Sequence, residues 1–547
     1  MKIPWLKKLS LLQGILLSLV ASFPAIAQIE PDATLPTNSL VTPNQENVLQ
    51  IDSGTRAGNN LFHSFSQFSV PTGGTAYFNN ALDVSNIFSR VTGGSASSID
   101  GILKANGTAN LFLLNPNGII FGQNASLSIG GSFVGTTANA IGFGTLGTFS
   151  ASTLNNPSVL TVNPNSFLFN QIAAQSVNSQ ANLQVSTGNS LLLLGGNVSL
   201  DGSNGGQILA PGGRVELGGL AGTGTVGLNV NETILSLTFP VGVPRANVSL
   251  NNGVIVNVRA GGGGSIAVNA NNLNMFGGSK LRAGIAENSG LASSQGGDID
   301  VDVTDAITFD NGSRTENTVQ ENGTGNAGNV FISTKSLSLS NVSVIAGSTL
   351  GQGNGGNVTI SASDFIKIDG INFVGSSVSP PRAVGRGGNV SITSKSLSLT
   401  NGGTISASTV GQGNAGNVTI SASDFIKIDG IGIVASAVFP GAVGSGGNVS
   451  IISKSLSLTN GGYIATATGG QGNAGNVTIN ASDFIKIDGV FSGTGTSSGV
   501  YNGAYNRSNG NGGDINITSP LLSITNGGVL SAITLTDYLR FAHLKAS

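Results

Sequence analysis

Along the C-terminal half of the chain, apolar and polar residues alternate in short runs separated by glycine-rich turns. In residues 355–386 the runs are NVTI, FIKID and INFVGSSV, with Val358 and Ile360, then Ile366 and Ile368, on one side. A period of two predicts strands with one buried face. The glycine, asparagine, serine and β-branched content disfavours helix throughout. The runs also recur: GGNVTISASDFIKIDG (355–370) returns as AGNVTISASDFIKIDG (415–430) and AGNVTINASDFIKIDG (474–489). Between these copies lie GGNVSITSKSLSLTNGG (387–403) and GGNVSIISKSLSLTNGG (446–462), and weaker copies begin at Gly263, Gly296, Ala327 and Gly512. The period is near thirty residues, and the alternation of two unit types makes a super-period of 60, then 59.

Three short strands per unit, with turns between them, predict a solenoid. The fold class expected is all-β, a parallel β-helix in which each unit is one coil. With a rise of about 4.8 Å per coil, nine units span roughly 40 Å. The recurring Asn329, Asn357, Asn389, Asn417, Asn448 and Asn476 should stack at one corner and hydrogen-bond from coil to coil. Lys367, Lys427 and Lys486 recur only in every second unit, with Ser398 and Ser457 between them. Like charges are thereby kept about two coil spacings apart on an outer face.

The N-terminal half shows no tight repeat, and its most distinctive stretch is NLFLLNPNGIIFG, residues 110–122. Asn115-Pro116-Asn117-Gly118 reads as a tight turn, because proline pre-sets φ, asparagine tolerates the third position and glycine suits the fourth. The flanking runs, Leu111 to Leu114 and Ile119 to Phe121, are wholly apolar. They predict strands that are buried on both sides.

Composition narrows the class. Of 547 residues only 9% are charged and 5% aromatic, glycine numbers 83, and the formal net charge is −2. Nothing there points to nucleic acid or an anionic membrane as a partner. Lys2, Lys7 and Lys8, the apolar stretch LSLLQGILLSLVASF and Ala25-Ile26-Ala27 read as a signal peptide, 1–27, cleaved between Ala27 and Gln28. No later run is long enough to span a bilayer. Cysteine is absent, which excludes a disulfide scaffold, a thiol nucleophile and cysteine metal ligands.

Three stretches carry a resemblance. GNNLFHSFSQFSV (58–70), SRVTGG (89–94) and IDGILKANGTANLFLLNPNGIIFGQNASLSIGGSFVGTTANAI (99–141) closely resemble the secretion domain of filamentous-haemagglutinin-type exoproteins, in the version found in large exoproteins of cyanobacteria. The resemblance covers most of 28–170. It implies a right-handed parallel β-helix of the pectin-lyase-like kind, capped at its N-terminal end. It also implies recognition by an outer-membrane β-barrel transporter, as in two-partner secretion. Asn115, Pro116, Asn117, Gly118 and Ile119 would form the family's turn between stacked strands, serving the fold or touching the transporter directly. The family's second Asn-Pro-Asn element precedes this one, whereas the other copy here, NPNSF (163–167), follows it. Its role is therefore not carried over. The organisation expected is a signal peptide (1–27), a secretion domain (28–260), repeats (261–534) and a non-repeat tail (535–547).

Candidate chemistry is sparse. Asp298, Asp300 and Asp302 share a strand face, with Asp305 and Asp310 nearby, but the neighbouring units place Asn, Ser and Thr at the corresponding positions. Neither a calcium site nor an acid/base pair is expected from them. The mature chain has His63 and His543, one at each end, so a histidine triad or zinc site is not expected either. No cofactor, metal or catalytic residue is assigned. The enlarged unit FSGTGTSSGVYNGAYNRSNGNGG (491–513) puts Tyr501, Tyr505 and Arg507 on a small-residue loop that makes a candidate ligand site. The reading is a secreted or surface exoprotein, an adhesin or stalk whose partners are surface glycans or other cells. A β-helical polysaccharide lyase or hydrolase is the alternative. In the tail, TDYLRFAHLK (536–545) breaks the repeat, as a short capping helix or as the remnant of a longer chain.

Overall fold

The computed structural model describes residues 28–170, 174–379, 383–505 and 508–534. The expected signal peptide and tail lie outside the described residues. The chain is a parallel β-helix in which one long column of strands carries two of the three faces. Ser265–Met275, Ile299–Phe309, Val330–Ser340, Val358–Asp369, Val390–Thr400, Val418–Asp429, Val449–Thr459 and Val477–Asp488 pair in parallel, each on the next. The last of them continues onto Ile515–Thr518 and Leu522–Thr525. A second column of short strands forms a 12-stranded sheet through Ile255–Asn257, Lys280–Ala283, Arg314–Asn317 and onward to Val529–Thr534.

One expectation needs correcting. In every described unit but the last, the first two strand pieces are not joined by a turn. Val358–Asp369 is a single strand whose register against the next coil shifts between Ser361 and Phe365. The shift bends the strand as a bulge does, so one strand serves two faces. Val358, Ile360, Ala362, Ile366, Ile368 and Val374 point inward and are buried, as the two-residue alternation requires.

The asparagine ladder is present; one bond joins amide to amide, from Asn357 Nδ2 to Asn329 Oδ1 (3.0 Å), and the rest run to the backbone. Each side-chain oxygen accepts the backbone N–H of the equivalent residue one coil on: Asn357 to Asn329 (3.0 Å), Asn389 to Asn357 (2.8 Å), Asn417 to Asn389 (2.9 Å), Asn448 to Asn417 (2.8 Å) and Asn476 to Asn448 (2.8 Å). Asp298 begins the row by accepting from Asn329, and Asp514 ends it by donating to Asn476. A parallel row three residues earlier links Asn326 to Asn354, and Asn354 to Arg386. Glycine is required beside the ladder. A Cβ on Gly388, Gly416, Gly447 or Gly475 would stand 1.9–2.1 Å from a carbonyl oxygen of the preceding coil.

The lysines alternate with serine as expected, Lys367 over Ser398 over Lys427 over Ser457 over Lys486. Each also pairs with the aspartate two residues on: Lys367–Asp369 (3.2 Å), Lys427–Asp429 (3.4 Å) and Lys486–Asp488 (3.1 Å). These aspartates bind the next coil in turn, Asp369 accepting from Thr400 and Asn401, both at 2.8 Å.

The N-terminal half is the same helix with additions. Asn60–Phe68, Asn86–Val91, Asn110–Leu114, Phe133–Thr136, Ser190–Gly195 and Arg214–Gly219 stack in parallel and run without a break into Ser265–Met275. Ile29–Pro31 and Thr55–Ala57 pair antiparallel with the first of these strands. The hairpin Ser39–Gln45/Val48–Ser53 ends a separate five-stranded sheet, its second strand pairing in parallel with Thr75–Phe78. A further antiparallel sheet of five strands, in the order Thr148–Ser150, Ala140–Gly142, Ser166–Phe169, Gly224–Asn231, Ile234–Thr238, lies outside the helix.

That extra sheet creates a second core. Leu111 and Leu113 point into the helix interior, whereas Phe112 and Leu114 point outward to meet Phe143, Phe149 and Phe167 of the extra sheet. Phe62, Phe88 and Phe112 stack along this interface, with ring centroids 5.0 and 4.8 Å apart. The unbroken apolar run of 111–114 is thus explained by two cores, not by one column. Ile119–Phe121 differs from its neighbour: Ile119 and Phe121 are buried but Ile120 is exposed, so this strand alternates after all.

The glycine column yields a test. Gly416→Ala places a methyl group against a backbone oxygen that cannot move without shifting a coil, and overpacking of this kind costs about 1–3 kcal/mol. Lys427→Ala on the outer face should cost well under 1 kcal/mol. Thermal melts of both variants should rank in that order, and equal midpoints would mean the corner relaxes freely.

Candidate functional site

The Asn115–Ile119 turn is built into the wall of the helix. Gly118 N–H donates to the Asn115 carbonyl (3.1 Å), closing the four-residue turn, and the Asn115 side-chain oxygen accepts the Asn117 N–H (2.9 Å). The Asn115 amide donates back to the preceding coil, to Ser95 O (3.0 Å) and Ser97 Oγ (2.9 Å), and Asn117 donates to Gly93 O (2.6 Å). Forward, Asn115 N–H reaches Thr136 O (3.0 Å) and Ile119 N–H reaches Ser176 O (3.2 Å). Gly118 has φ +114°, a conformation that other residues adopt at a cost. Asn115, Pro116, Gly118 and Ile119 are buried, and only Asn117 is partly exposed. The turn therefore locks three successive coils and offers little surface to another molecule.

The second Asn-Pro-Asn stretch has a different place. Asn163 and Asn165 precede Ser166–Phe169 of the extra sheet, where the Asn165 side chain accepts from Gly144 N–H at 3.1 Å. Asn60 holds the approach to it by donating to Leu160 O (2.8 Å) and Val162 O (2.7 Å).

Sequence reasoning missed Arg90, which lies within the SRVTGG signature. Its side chain is wholly buried between the helix and the extra sheet. The guanidinium donates to Ser64 Oγ (2.9 Å), Thr34 Oγ1 (2.9 Å) and Ser150 O (2.8 Å), and lies 4.5 Å from the Phe149 ring centroid. Ser64 belongs to the first coil, Thr34 to the N-terminal segment, and Ser150 to the extra sheet. Burial lowers the Arg90 pKa to about 10, with Asp32 opposing that shift. Burial raises the pKa of Asp32, but hydrogen bonds from Thr34, Thr92 and Ser64 outweigh it and leave the group below its ordinary value. A charged residue in a strand gave one signal: it follows Asn86 and Phe88 on the face that meets the extra sheet.

Of the candidate ligand residues, Tyr501 is placed in a strand and not on a loop. Tyr501 lies in the strand Gly499–Ala504 and packs edge-on to Tyr463, with ring centroids 5.9 Å apart. Its hydroxyl donates to Ser497 O at 3.0 Å. The expected loop instead holds a small hairpin, Val490–Phe491/Thr496–Ser497, and this strand. Tyr505 is exposed and lines a groove of about 510 Å³ with Phe439 and Pro440 of an earlier coil. Arg507 lies outside the described residues.

The acidic stretch is dispersed in the structure. Asp302 pairs with Arg245 (2.8 Å), Asp305 with Lys335 (3.3 Å), and Asp310 accepts from Ser340 and Asn341, both at 2.7 Å. Asp300 faces Ala267 and Phe331 on the adjacent coils, and Asp302 faces Asn269 and Ser333. Among the described residues, no group of three or more His, Cys, Asp or Glu side chains is placed to hold a metal ion. No described helix is long and apolar enough to cross a membrane.

A family model described as the TPS secretion domain matches residues 27–268. The chain carries a two-partner secretion domain. The crystal structure of the HMW1 secretion domain from Haemophilus influenzae matches with a TM-score of 0.50 at 19% identity, over 72% of this chain and 94% of that one. That likeness concerns the fold. The heme/hemopexin-binding protein of Haemophilus influenzae is 34% identical over 115 residues, which are 19% of this chain and 11% of that protein. The chain thus spans about a tenth of that relative's length. The turn at 115–119 and the Arg90 network both lie within the residues that match the two-partner secretion domain.

Two outcomes follow for the domain. Arg90→Met keeps most of the packing volume but leaves Ser150 O and the Asp32 network without their cation. Breaking a buried charged network costs about 3–5 kcal/mol, and Arg90→Lys should recover only part because one ammonium cannot reproduce the fork. Urea unfolding of the mature chain measures both. His63 is buried and neutral: burial lowers its pKa to about 3, with Asp52 opposing weakly, and Nδ1 lies 3.1 Å from Ser39 Oγ. Its folded value is depressed below the unfolded 6.5, so the unfolded chain binds the extra proton. Stability is intact above that value and falls as pH drops from about 6.5 to about 3, at about 1.4 kcal/mol per unit from this group. His63→Gln should flatten that part of the stability–pH curve; an unchanged slope would assign the acid sensitivity to other groups.

Proposed function

We propose that the chain is a surface adhesin or stalk, delivered by an outer-membrane β-barrel transporter that acts on residues 28–260 and displays residues 261–534. The observation that carries this reading is the unbroken ladder from Arg214–Gly219 into Ser265–Met275. A solenoid is quasi-one-dimensional, so each coil gains stability from the coil already formed before it. A chain emerging from its transporter N-terminus first would meet a finished edge at every step. The Asn115–Ile119 turn contributes through folding, because its bonds run to the coils on both sides and most of it is buried. Adhesion is assigned to the outer faces, where Tyr463, Tyr501 and Tyr505 gather near the last coils. Surface glycans or other cells are the partners that suit such a display.

The test is export into the medium with and without a cognate transporter, followed by a cell-adhesion assay on the secreted chain. Extracellular protein should depend on the transporter. Asn117→Ala and Pro116→Ala should lower it severalfold, while Lys367→Ala leaves it near wild type. Equal extracellular levels for the three variants would remove the turn from the export step.

A further inference from the structure

The outer faces of the repeats keep like charges apart, with one exception. On the short-strand face, Lys280 stands directly opposite Arg314 in the next coil, and Arg282 opposite Glu316. Arg259 reaches the same place from the preceding coil. Glu316 serves three guanidinium groups at once, Arg314 at 3.2 Å, Arg259 at 3.5 Å and Arg282 at 3.6 Å. Those last two contacts are long because one oxygen is shared between two cations. Arg259 is otherwise committed, donating to Ala283 O and Thr318 Oγ1. The Arg282 Nε has no hydrogen-bond partner, and the Lys280 ammonium has neither a hydrogen bond nor an ion pair among the described residues.

Four cations against one carboxylate leave three positive charges without a counter-charge. Burial lowers the Lys280 pKa, and Arg282, Arg314 and Arg259 lower it further against the pull of Glu316 alone. Like charges directly opposite in a sheet destabilise it. At Lys367, Lys427 and Lys486, by contrast, lysine alternates with serine and pairs with the aspartate two residues on.

We propose that Lys280, Arg282 and Arg314 form a subsite for the carboxylate or sulfate of an acidic polysaccharide. This inference deepens the adhesive reading above. The cluster spans three coils, about 10 Å, which suits one or two anionic groups and not the continuous charge of a nucleic acid. Beyond it the same face continues with neutral residues, Val344, Phe373, Thr404, Ile433 and Tyr463, in register. The Phe373 ring lies against Gly375, where an added Cβ would approach it to 2.7 Å. A face with a cationic anchor and an uncharged continuation fits a polymer of hydroxylated rings carrying occasional anions. Guanidinium groups hold such oxyanions in a fork, and Lys280 adds an unpaired donor.

The experiment uses the purified mature chain in low salt, with polygalacturonate, dextran sulfate and neutral dextran as probes. At least one acidic polymer should bind and dextran should not; which acidic polymer binds identifies the anion. Lys280→Gln should weaken binding by about tenfold, the loss of one charge-assisted contact. Glu316→Gln should strengthen it, because the competing carboxylate is gone. Lys280→Gln should also melt no lower than wild type, since it relieves a like-charge pair. Equal binding to dextran, unchanged affinity in Lys280→Gln, or monomeric galacturonate binding as tightly as its polymer would overturn the proposal. So would a marked fall in the Lys280→Gln melting point, which would make that lysine structural. Because binding is measured on purified chain, failure here is distinct from failure of transporter-dependent export.

Discussion

Everything in this molecule is subject to one constraint: each coil must hydrogen-bond to the coil before it at the spacing of paired strands. Whatever occupies a position is then repeated about 4.8 Å away along the axis. Side chains that tolerate their own copies at that distance recur, and those that do not are interrupted. Valine, isoleucine and leucine stack inside, as Ile366, Leu397, Ile426, Leu456 and Ile485 do. Asparagine stacks at the corner because its side-chain oxygen accepts the next backbone N–H. Lysine cannot stack on lysine, and serine separates the copies. The two unit types are the solution to that last problem, written into the sequence as the longer period.

Glycine has a different relation to the same constraint. At Gly388, Gly416 and Gly447 the corner turns so tightly that the preceding carbonyl occupies the space of a Cβ. The adjacent asparagine ladder fastens that turn from outside. The two features depend on each other: the close approach brings each backbone N–H within reach of the previous asparagine, and the bond holds the approach closed. Neither a larger residue beside the ladder nor an apolar one within it preserves both.

The repeats were legible because their constraint is periodic. Inward residues, the number of coils, the asparagine row and the separation of lysines all follow from alternation and spacing. The bend inside Val358–Asp369 was not legible, since a register shift and a turn leave a similar interruption of the apolar pattern. Nor was the extra sheet. Its strands at 140–169 and 224–238 are far apart in sequence, and their apolar residues face a core shared with Phe62, Phe88 and Phe112. The run 111–114 did record that second core, because only burial on both sides explains four apolar residues in succession. Arg90 was hidden for the related reason that its three acceptors come from segments that no local pattern connects. Tyr501 looked like a loop residue because glycine surrounds it, yet the small neighbours leave room for its ring against a strand.

The division of labour inside a coil bears on what such a chain is able to do. Stability resides in the inward columns, the glycine corner with its asparagine ladder, and the backbone ladder, none of which depends on the remaining outward side chains. Outer columns are therefore free to differ between coils without loss of the fold, and they do: Lys280, Arg314, Val344, Phe373, Thr404, Ile433 and Tyr463 occupy equivalent positions along one face. Where an outer column obeys the electrostatic preference for separated charges, as at Lys367, Lys427 and Lys486, folding alone accounts for it. Where a column violates that preference, the repeat offers no reason for the violation. Lys280 opposite Arg314 is such a place, and its explanation has to come from something the coil meets outside itself.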